Sequence, residues 1–369
     1  MKSNVFHVAQ MPGDGIGIEV MQAADAVLAA VESRYGLGFR FEPIPGGAHY
    51  YKETGSILPA DGIERAGRAD AILFGAMGWP DIRFTDGTEI APQLDLRVAL
   101  DLYAGVRPIR AIPGVPTALA HPRAKDIDFV VIRESTEGMF VSRGKGVLID
   151  DREARDTQVI TRRTTERLTD FSCRLARRRK ATRGTPGRVT LVDKANVFLS
   201  FAFMRKVFYE AAAAHPDIEA RHHYVDAMAL DLVRRPWDFD VLPMENLFGD
   251  ILSDLGAGLI GGMGFAPSAD IGDAHALFQP SHGSAPDIAG KGIANPTAMI
   301  LSAAMMLDWL GERHDSENAR IAARAIEQSV DLAFGTGRVR SCDIGGQDGT
   351  MAIGKAVAEA IASGEADPQ

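Results

Sequence analysis

The chain has 369 residues, 46% of them hydrophobic, with 40 Lys and Arg against 49 Asp and Glu for a net charge of −9. That length and apolar content can bury a sizeable core and build two domains. The acidic balance argues against general nucleic-acid affinity, which draws on clustered positive charge.

The opening MKSNVFHVAQMPGDG has no apolar segment followed by a cleavage site. Residues 5–9 read as a short buried strand, and MPGDGIGIE as the turn into an amphipathic helix ending near Tyr35 and Gly36. Strand, Gly-rich turn and helix open an α/β fold. Residues 70–76 form another buried strand, followed by the loop GWPDIRFTDGTEIAPQ and a helix over about 94–102. Residues 102–108 and 127–133 read as strands, and 162–180 as a helix ending in the basic run RLARRRKATRGTPGR. That run is expected to be a solvated helix end and loop. A strand at 189–192 delivers Asp193-Lys194-Ala195-Asn196, and HHYVD delivers Asp226 in the same manner. His222 and His223 have no partner at metal-ligand spacing and are taken as structural or surface groups. Three helices, about 296–310, 317–334 and 349–363, close the chain. The longest apolar run, 298–307, is too short to cross a bilayer. Cys173 and Cys342 make no disulfide framework, which points to a reducing compartment and a soluble cytoplasmic protein.

Two stretches carry chemistry. Asp250 and Asp254 stand four apart, on one face of a helix, with Cβ atoms about 5–6 Å apart. Like charges that close raise each other's pKa unless a cation lies between them. Hard carboxylate oxygens suit Mg²⁺ or Mn²⁺, whereas the competing reading is compensation of the helix dipole. Then HGSAPDIAGKGIANPTA runs as a small-residue loop into a helix. Gly283, Ser284 and Ala285 let a ligand approach the backbone, and Asn295-Pro296 opens the helix with Thr297 near its first turn. Free N–H groups there suit a pyrophosphate. Gly256, Gly258 and Gly261 match G-x-G-x-x-G, but no strand precedes them, so they are read as helix-packing glycines and not a Rossmann fingerprint.

These motifs agree in order and spacing over nearly the whole chain, from residues 11–17 to the final helices. The sequence resembles the metal-dependent β-decarboxylating dehydrogenases of the isocitrate/3-isopropylmalate family. The resemblance implies an α/β, isopropylmalate-dehydrogenase-like fold: two domains with a large mixed sheet flanked by helices, not a Rossmann fold. Residues 1–103 and 261–369 would make a discontinuous cofactor-binding domain. Residues 104–260 would make a smaller one holding substrate and metal residues, with 144–161 as an arm that pairs with a second subunit. The implied assembly is a homodimer with shared active sites, without nucleic-acid or membrane partners.

The implied substrate is a 2-hydroxy acid with a carboxylate on the neighbouring carbon. Arg97, Arg107 and Arg133 match the family's substrate arginines, whose planar forks grip carboxylates bidentately. Asp226, Asp250 and Asp254 match the ligands of a divalent ion, Mg²⁺ or Mn²⁺, that acts as a Lewis acid. Lys194 matches the catalytic lysine, expected to act from across the dimer interface as a proton acceptor. Phe140 departs from the family, which carries there a tyrosine that assists proton transfer to the enol; phenylalanine has no ionisable oxygen. The resemblance also implies NAD: Asp287 takes the place where NAD enzymes bind the adenosine ribose, and a carboxylate repels a 2′-phosphate. His282, Gly283, Ser284, Ala285, Ile288 and Asn295 would line the adenosine and phosphates. Gln279 stands where many relatives have glutamate.

Specificity in this family comes from the residues before Arg97. Ile90, Ala91 and Leu94 read as a mostly apolar wall suited to an alkyl group, each buried methylene being worth about 0.8 kcal/mol. The expectation is 3-isopropylmalate or a related 3-alkylmalate, with D-malate or tartrate as runner-up. A non-catalytic regulatory paralogue is the alternative of a different kind.

Overall fold

The computed structural model describes residues 5–365; residues 1–4, part of the stretch searched for a leader, and residues 366–369 lie outside the described residues. In chain order the strands and helices are β1 (Val5–Gly13), α1 (Ile16–Tyr35), β2 (Gly38–Pro43), α2 (Ala48–Thr54), α3 (Gly62–Arg68), β3 (Ala71–Ala76), α4 (Pro92–Ala99), β4 (Ala104–Arg110), β5 (Asp128–Glu134), β6 (Val147–Ile149), β7 (Glu153–Arg155), α5 (Arg162–Arg183), β8 (Arg188–Asp193), α6 (Leu199–Ala212), β9 (Glu219–Tyr224), α7 (Val225–Arg234), β10 (Val241–Met244), α8 (Asn246–Leu259), β11 (Pro267–Ile271), β12 (Ala276–Pro280), α9 (Thr297–Arg313), α10 (Glu317–Gly335) and α11 (Thr350–Ser363). They fall into two compact units, one holding the residues up to 101, 112–118 and 260 onward, the other 102–111 and 119–259. The fold is α/β, with long strands of mixed direction flanked by helices.

In the first unit the strands run β2-β1-β3-β12-β11. All are parallel neighbours except β11, which pairs antiparallel with β12. Every residue of β3 (AILFGA) is buried, as a parallel strand between covered faces should be. Helices α1 and α9 pack on it. Gly354 of α11 brings that helix so close to α1 that a Cβ there would lie 2.9 Å from Ala23 Cβ. The helix after the 78–93 loop begins earlier than the sequence suggests, because Pro92 fits the first helical turn, where a missing N–H costs nothing. It also ends earlier, and Asp101 takes the left-handed conformation (φ 51°) that turns the chain toward β4.

In the second unit the order is β4-β5-β10-β8-β9, with only the β4–β5 pair antiparallel. The 144–161 stretch carries a separate hairpin, β6 against β7, with Val147 and Leu148 exposed. Of the glycines at 256–261, Gly256 of α8 serves packing, since a Cβ there would lie 2.8 Å from Ile109 of β4, whereas a Cβ at Gly258 would meet nothing. The histidine pair is structural, His222 sharing a hydrogen bond with the Tyr209 hydroxyl (2.7 Å) and His223 with Asp231 (3.0 Å). The basic run is not wholly solvated. Arg179 is buried and donates from Nε to Asp240 (2.8 Å), because α5 lays this side chain over the strands while its neighbours face water. No helix among the described residues is long and apolar enough to cross a membrane.

Candidate active site

The second unit assembles a charged cluster where α8 packs on β4 and β5. Antiparallel register sets Gly105 opposite Arg133, so Arg107 and Arg133 are diagonal neighbours on one face. Both arginines are buried. Arg133 donates from Nε to Asn246 Oδ1 (2.9 Å), pairs through its guanidinium with the Asp250 carboxylate, and lies 5.0 Å over the Phe140 ring. Asp254 follows one helical turn after Asp250. Although its side chain reaches the surface, its carboxyl is pushed up by partial desolvation and then by the charge of Asp250, and pulled back by Arg107 and Arg133. A divalent cation between the two carboxylates would relieve that repulsion, so this pair fits a hard metal ion. Helix α8 is not apolar all round: Asp254 shares an exposed face with Leu247 and Ile251.

The loop after β5 fixes Phe140. Glu134 is buried and accepts from its own turn, from Thr136 N (2.6 Å) and Glu137 N (2.8 Å); burial pushes its carboxyl up to about 7. Glu137 accepts from Thr161 N (2.9 Å) and Thr164 Oγ1 (2.8 Å) at the start of α5. Gly138 is left-handed (φ 77°) against Glu245, and a side chain there would meet Glu245 Oε1 at 2.1 Å. Phe140 is therefore held half-buried in a braced turn, with Arg133 over its face.

Lys194 and Asp226 form a second centre. β8 and β9 are parallel neighbours, so their C-terminal ends bring the two residues together, Lys194 Nζ lying 2.8 Å from Asp226 Oδ1. The Lys194 ammonium, and then the backbone N–H groups at the start of α7, hold the Asp226 carboxyl below the usual range. Within one chain, no group of three or more His, Cys, Asp and Glu is placed to hold a metal among the described residues. Asp250 is thus bonded to Arg133 with Asp254 one turn away, while Asp226 is bonded to Lys194.

Arg97 and Leu94 belong to the first unit. Arg97 is buried, and its Nε donates to Asp270 Oδ2 (3.0 Å). Leu94 is half-buried, but Ile90 is wholly enclosed in the core, so it packs the unit and is not free to line a pocket. Gln93 carries a buried Oε1 with no hydrogen-bond partner.

The HGSA loop is in the first unit too. Ser284 O accepts from Ile16 N (2.9 Å) and Ser284 Oγ donates to Gly78 O (2.5 Å), which ties the loop to the turn before α1. Asp14 braces that turn, accepting from Ala48 N, His49 N and Gly78 N at 2.7–3.0 Å. Ala285 is left-handed (φ 40°), while Gly283 and Asp287 are exposed and Ile288 half-buried. His282 donates from Nδ1 to Gly283 O (2.9 Å), and burial lowers the pKa of the ring. Its buried Nε2 is left as an acceptor without a partner, which fits a ligand that brings an N–H or O–H. Asn295 is committed elsewhere: it caps Thr297 N (3.0 Å) and donates to Asp343 (3.1 Å), so it shapes the helix entry.

Sequence reading passed over Asn246 and Asp270, the partners that hold Arg133 and Arg97. Their signal was faint, since each is a polar residue in a buried run, MENLF and PSADI.

Arginines buried beside paired carboxylates suit an acidic substrate, which agrees with the decarboxylating hydroxyacid dehydrogenases that this chain resembles. The chain belongs to the isocitrate/isopropylmalate dehydrogenase family, whose model matches residues 7–361. It is 43% identical over 355 residues to the 3-isopropylmalate/3-methylmalate dehydrogenase of Methanocaldococcus jannaschii, covering 96% of this chain and 98% of that protein. It is 41% identical to the isocitrate/homoisocitrate dehydrogenase of Thermus thermophilus, covering 97% and 99%. To the tartrate dehydrogenase/decarboxylase of Pseudomonas putida it is 37% identical, covering 98% and 99%. The crystal structure of isocitrate dehydrogenase from Methylococcus capsulatus matches with a TM-score of 0.84 at 36% identity, covering 97% of this chain and 99% of that one.

Proposed function

We propose that the chain is a cytoplasmic, NAD- and Mg²⁺- or Mn²⁺-dependent dehydrogenase that oxidises and decarboxylates a malate-type 2-hydroxy acid, foremost 3-isopropylmalate or a related 3-alkylmalate. One observation carries the reading: α8 sets Asp250 and Asp254 a turn apart, with Arg133 bonded to the first and Arg107 acting on the second. Carboxylates for a cation and guanidinium groups for a dicarboxylate stand in one cluster.

Asp250 and Asp254 would hold the ion with Asp226 of a second copy, and the HGSA loop, with His282 and Asp287, would hold NAD. When bound, the ion supplies a Lewis acid at the substrate's oxygens, and NAD supplies the acceptor for hydride from C2. The protein's own groups do the rest. Arg97, Arg107 and Arg133 bind and orient the carboxylates. Lys194, held 2.8 Å from Asp226, would take the hydroxyl proton only as the free amine, after its own ammonium proton has passed to solvent. Once C2 is a ketone, the bond to the β-carboxylate breaks, CO₂ leaves, and the electron pair forms an enolate. Phe140 cannot give C3 its proton, so water does.

The homodimer is supported by apolar surface. α7 and α8 pack together and leave Leu230, Val233, Leu247 and Ile251 exposed, and Val197, Phe198 and Leu199 are exposed just after Lys194. Exposed apolar side chains of this size suit an interaction face.

The unpartnered Gln93 Oε1 favours a second reading, a substrate whose C3 substituent is a hydroxyl, as in tartrate; D-malate, the other runner-up, has no such hydroxyl and draws no support from it. NADH formation with Mn²⁺ over a panel of isopropylmalate, methylmalate, D-malate, tartrate and isocitrate separates them. Turnover greatest with an alkylmalate upholds the first reading. No turnover with any acid, alongside intact NAD binding, would instead mark a regulatory paralogue.

A further inference from the structure

Arg97 is the one substrate arginine of the first unit, and its surroundings differ from those of Arg107 and Arg133. Its Nε donates to Asp270 Oδ2 at 3.0 Å, and Gln279 Nε2 donates to the same oxygen at 2.8 Å. Asp270 is fully enclosed, and Arg97 and Gln279 are nearly so. The β11–β12 register sets Ser268 opposite Gln279, so Asp270 and Gln279 are diagonal neighbours on one face. Ser302 of α9 donates to Gln279 O (2.7 Å) and fixes the backbone from behind.

This geometry makes the neutrality of Gln279 matter. A buried carboxylate is tolerated when paired and fully hydrogen-bonded, and Asp270 is balanced by the Arg97 guanidinium. A second carboxylate at 279 would lie against the first, replace a donor by an acceptor, and compete for the same arginine. An arginine held at Nε still has its terminal nitrogens for another carboxylate, and holding it there restricts its rotamers.

We infer that Gln279 is a positioning residue for substrate binding: its amide clamps Asp270, and Asp270 clamps Arg97 by the Nε edge. The inference rests on the reading of Arg97 as a substrate arginine and extends it to the choice of amide over carboxylate at 279. The clamp carries charge: Arg97 of α4 and Asp270 of β11 are ionised partners bonded at one carboxylate oxygen, to which Gln279 adds a neutral donor. Of the neighbouring elements, α9 contributes the uncharged Ser302, its first ionisable residue being Asp308, and β3 (AILFGA) carries no ionisable group.

The test is Gln279→Glu, followed by Asp270→Asn in the same chain, with KM and kcat for the preferred dicarboxylate measured at pH 6 and pH 8.5. Protonated, the introduced carboxyl group can still donate to Asp270; ionised, it cannot. Gln279→Glu is therefore expected to raise KM at least tenfold at pH 8.5 and less than threefold at pH 6, with kcat less affected. The double variant restores one carboxylate and one amide, so KM at pH 8.5 should return to within threefold of wild type. Gln279→Leu, which keeps the site uncharged, should raise KM by the same factor at both pH values. A wild-type KM in Gln279→Glu at pH 8.5, or a loss equal at both pH values and unmoved by Asp270→Asn, overturns the inference. If Gln279→Glu fails to fold, the double and Leu variants decide it: unchanged KM in Gln279→Leu, or no recovery in the double, is adverse. An inactive wild-type protein would instead overturn the functional reading on which the clamp depends.

Discussion

Gly249 of α8 leaves room for Arg133 and for nothing more: a Cβ on this glycine would fall 2.6 Å from Arg133 Cβ and 2.9 Å from its Cα. Glycine in mid-helix costs about 1 kcal/mol against alanine, so its presence next to Asp250 answers a packing need. Gly249→Ala should regain that propensity and lose more to overpacking, a net destabilisation of about 1–2 kcal/mol. The larger effect falls on function, because α8 must move off β5 and separate Asp250 from Arg133. A KM for the dicarboxylate raised at least tenfold, read beside a modest fall in Tm, is the expected pair of results. Unchanged KM would mean that the Arg133–Asp250 contact does not shape the site.

Phe140 lies under Arg133 with no hydroxyl to give. Phe140→Tyr keeps the ring and the cation–π contact, worth about 0.5–2 kcal/mol, and adds an ionisable oxygen. If water protonates the enolate at present, the variant should release CO₂ and the 2-oxo acid faster, with the hydride step unaltered. Single-turnover NADH formation and steady-state CO₂ release, measured together, separate the two steps. A dead or unchanged variant would argue that the proton comes from elsewhere.

Much of this could be read from the sequence because its signals were local. The strand–turn–helix opening, the glycine at the end of α1 (Gly36, φ 64°) and the Asn-Pro-Thr entry to α9 each follow from backbone chemistry within a few residues. The Asp250/Asp254 pair was legible from helix periodicity alone. What escaped were relationships set by strand register and helix docking. The buried clamp of Arg179 on Asp240 joins residues 61 apart, and that of Arg97 on Asp270 joins residues 173 apart. Ile90 was legible as apolar, but whether it faces a pocket or the core depends on how the 78–93 loop folds back, which no period of 2 or 3.6 records.

Gly15 supports the cofactor loop from below. It is left-handed (φ 55°), and a Cβ there would come 2.1 Å from Ser284 O, the carbonyl that accepts from Ile16 N. Gly15→Ala must therefore strain its own backbone or push Ser284 away. NAD affinity should fall at least fivefold while dicarboxylate KM changes less. The rise in Tm on adding NAD gives a readout that needs no turnover; an undiminished rise would show that this turn does not shape the loop.

Asp25 of α1 offers a pH test of stability that leaves the candidate site alone. Its carboxylate accepts from Gln10 Nε2 (2.7 Å), but burial outweighs that bond and pushes the carboxyl up to about 6. In the unfolded chain it titrates near the usual value of about 4. Because the folded value is the higher, folding favours the protonated acid: the stabilising contribution is complete below about pH 4 and is lost as pH rises through 6. The whole displacement would be worth about 3 kcal/mol, and partial exposure reduces it to about 1 kcal/mol. Asp25→Asn keeps an acceptor for Gln10 and removes the ionisation. It should stabilise the protein by about 1 kcal/mol at pH 8 and leave it unchanged at pH 4, as read from urea unfolding at both values. An equal effect at the two pH values would trace the difference to packing and not to charge.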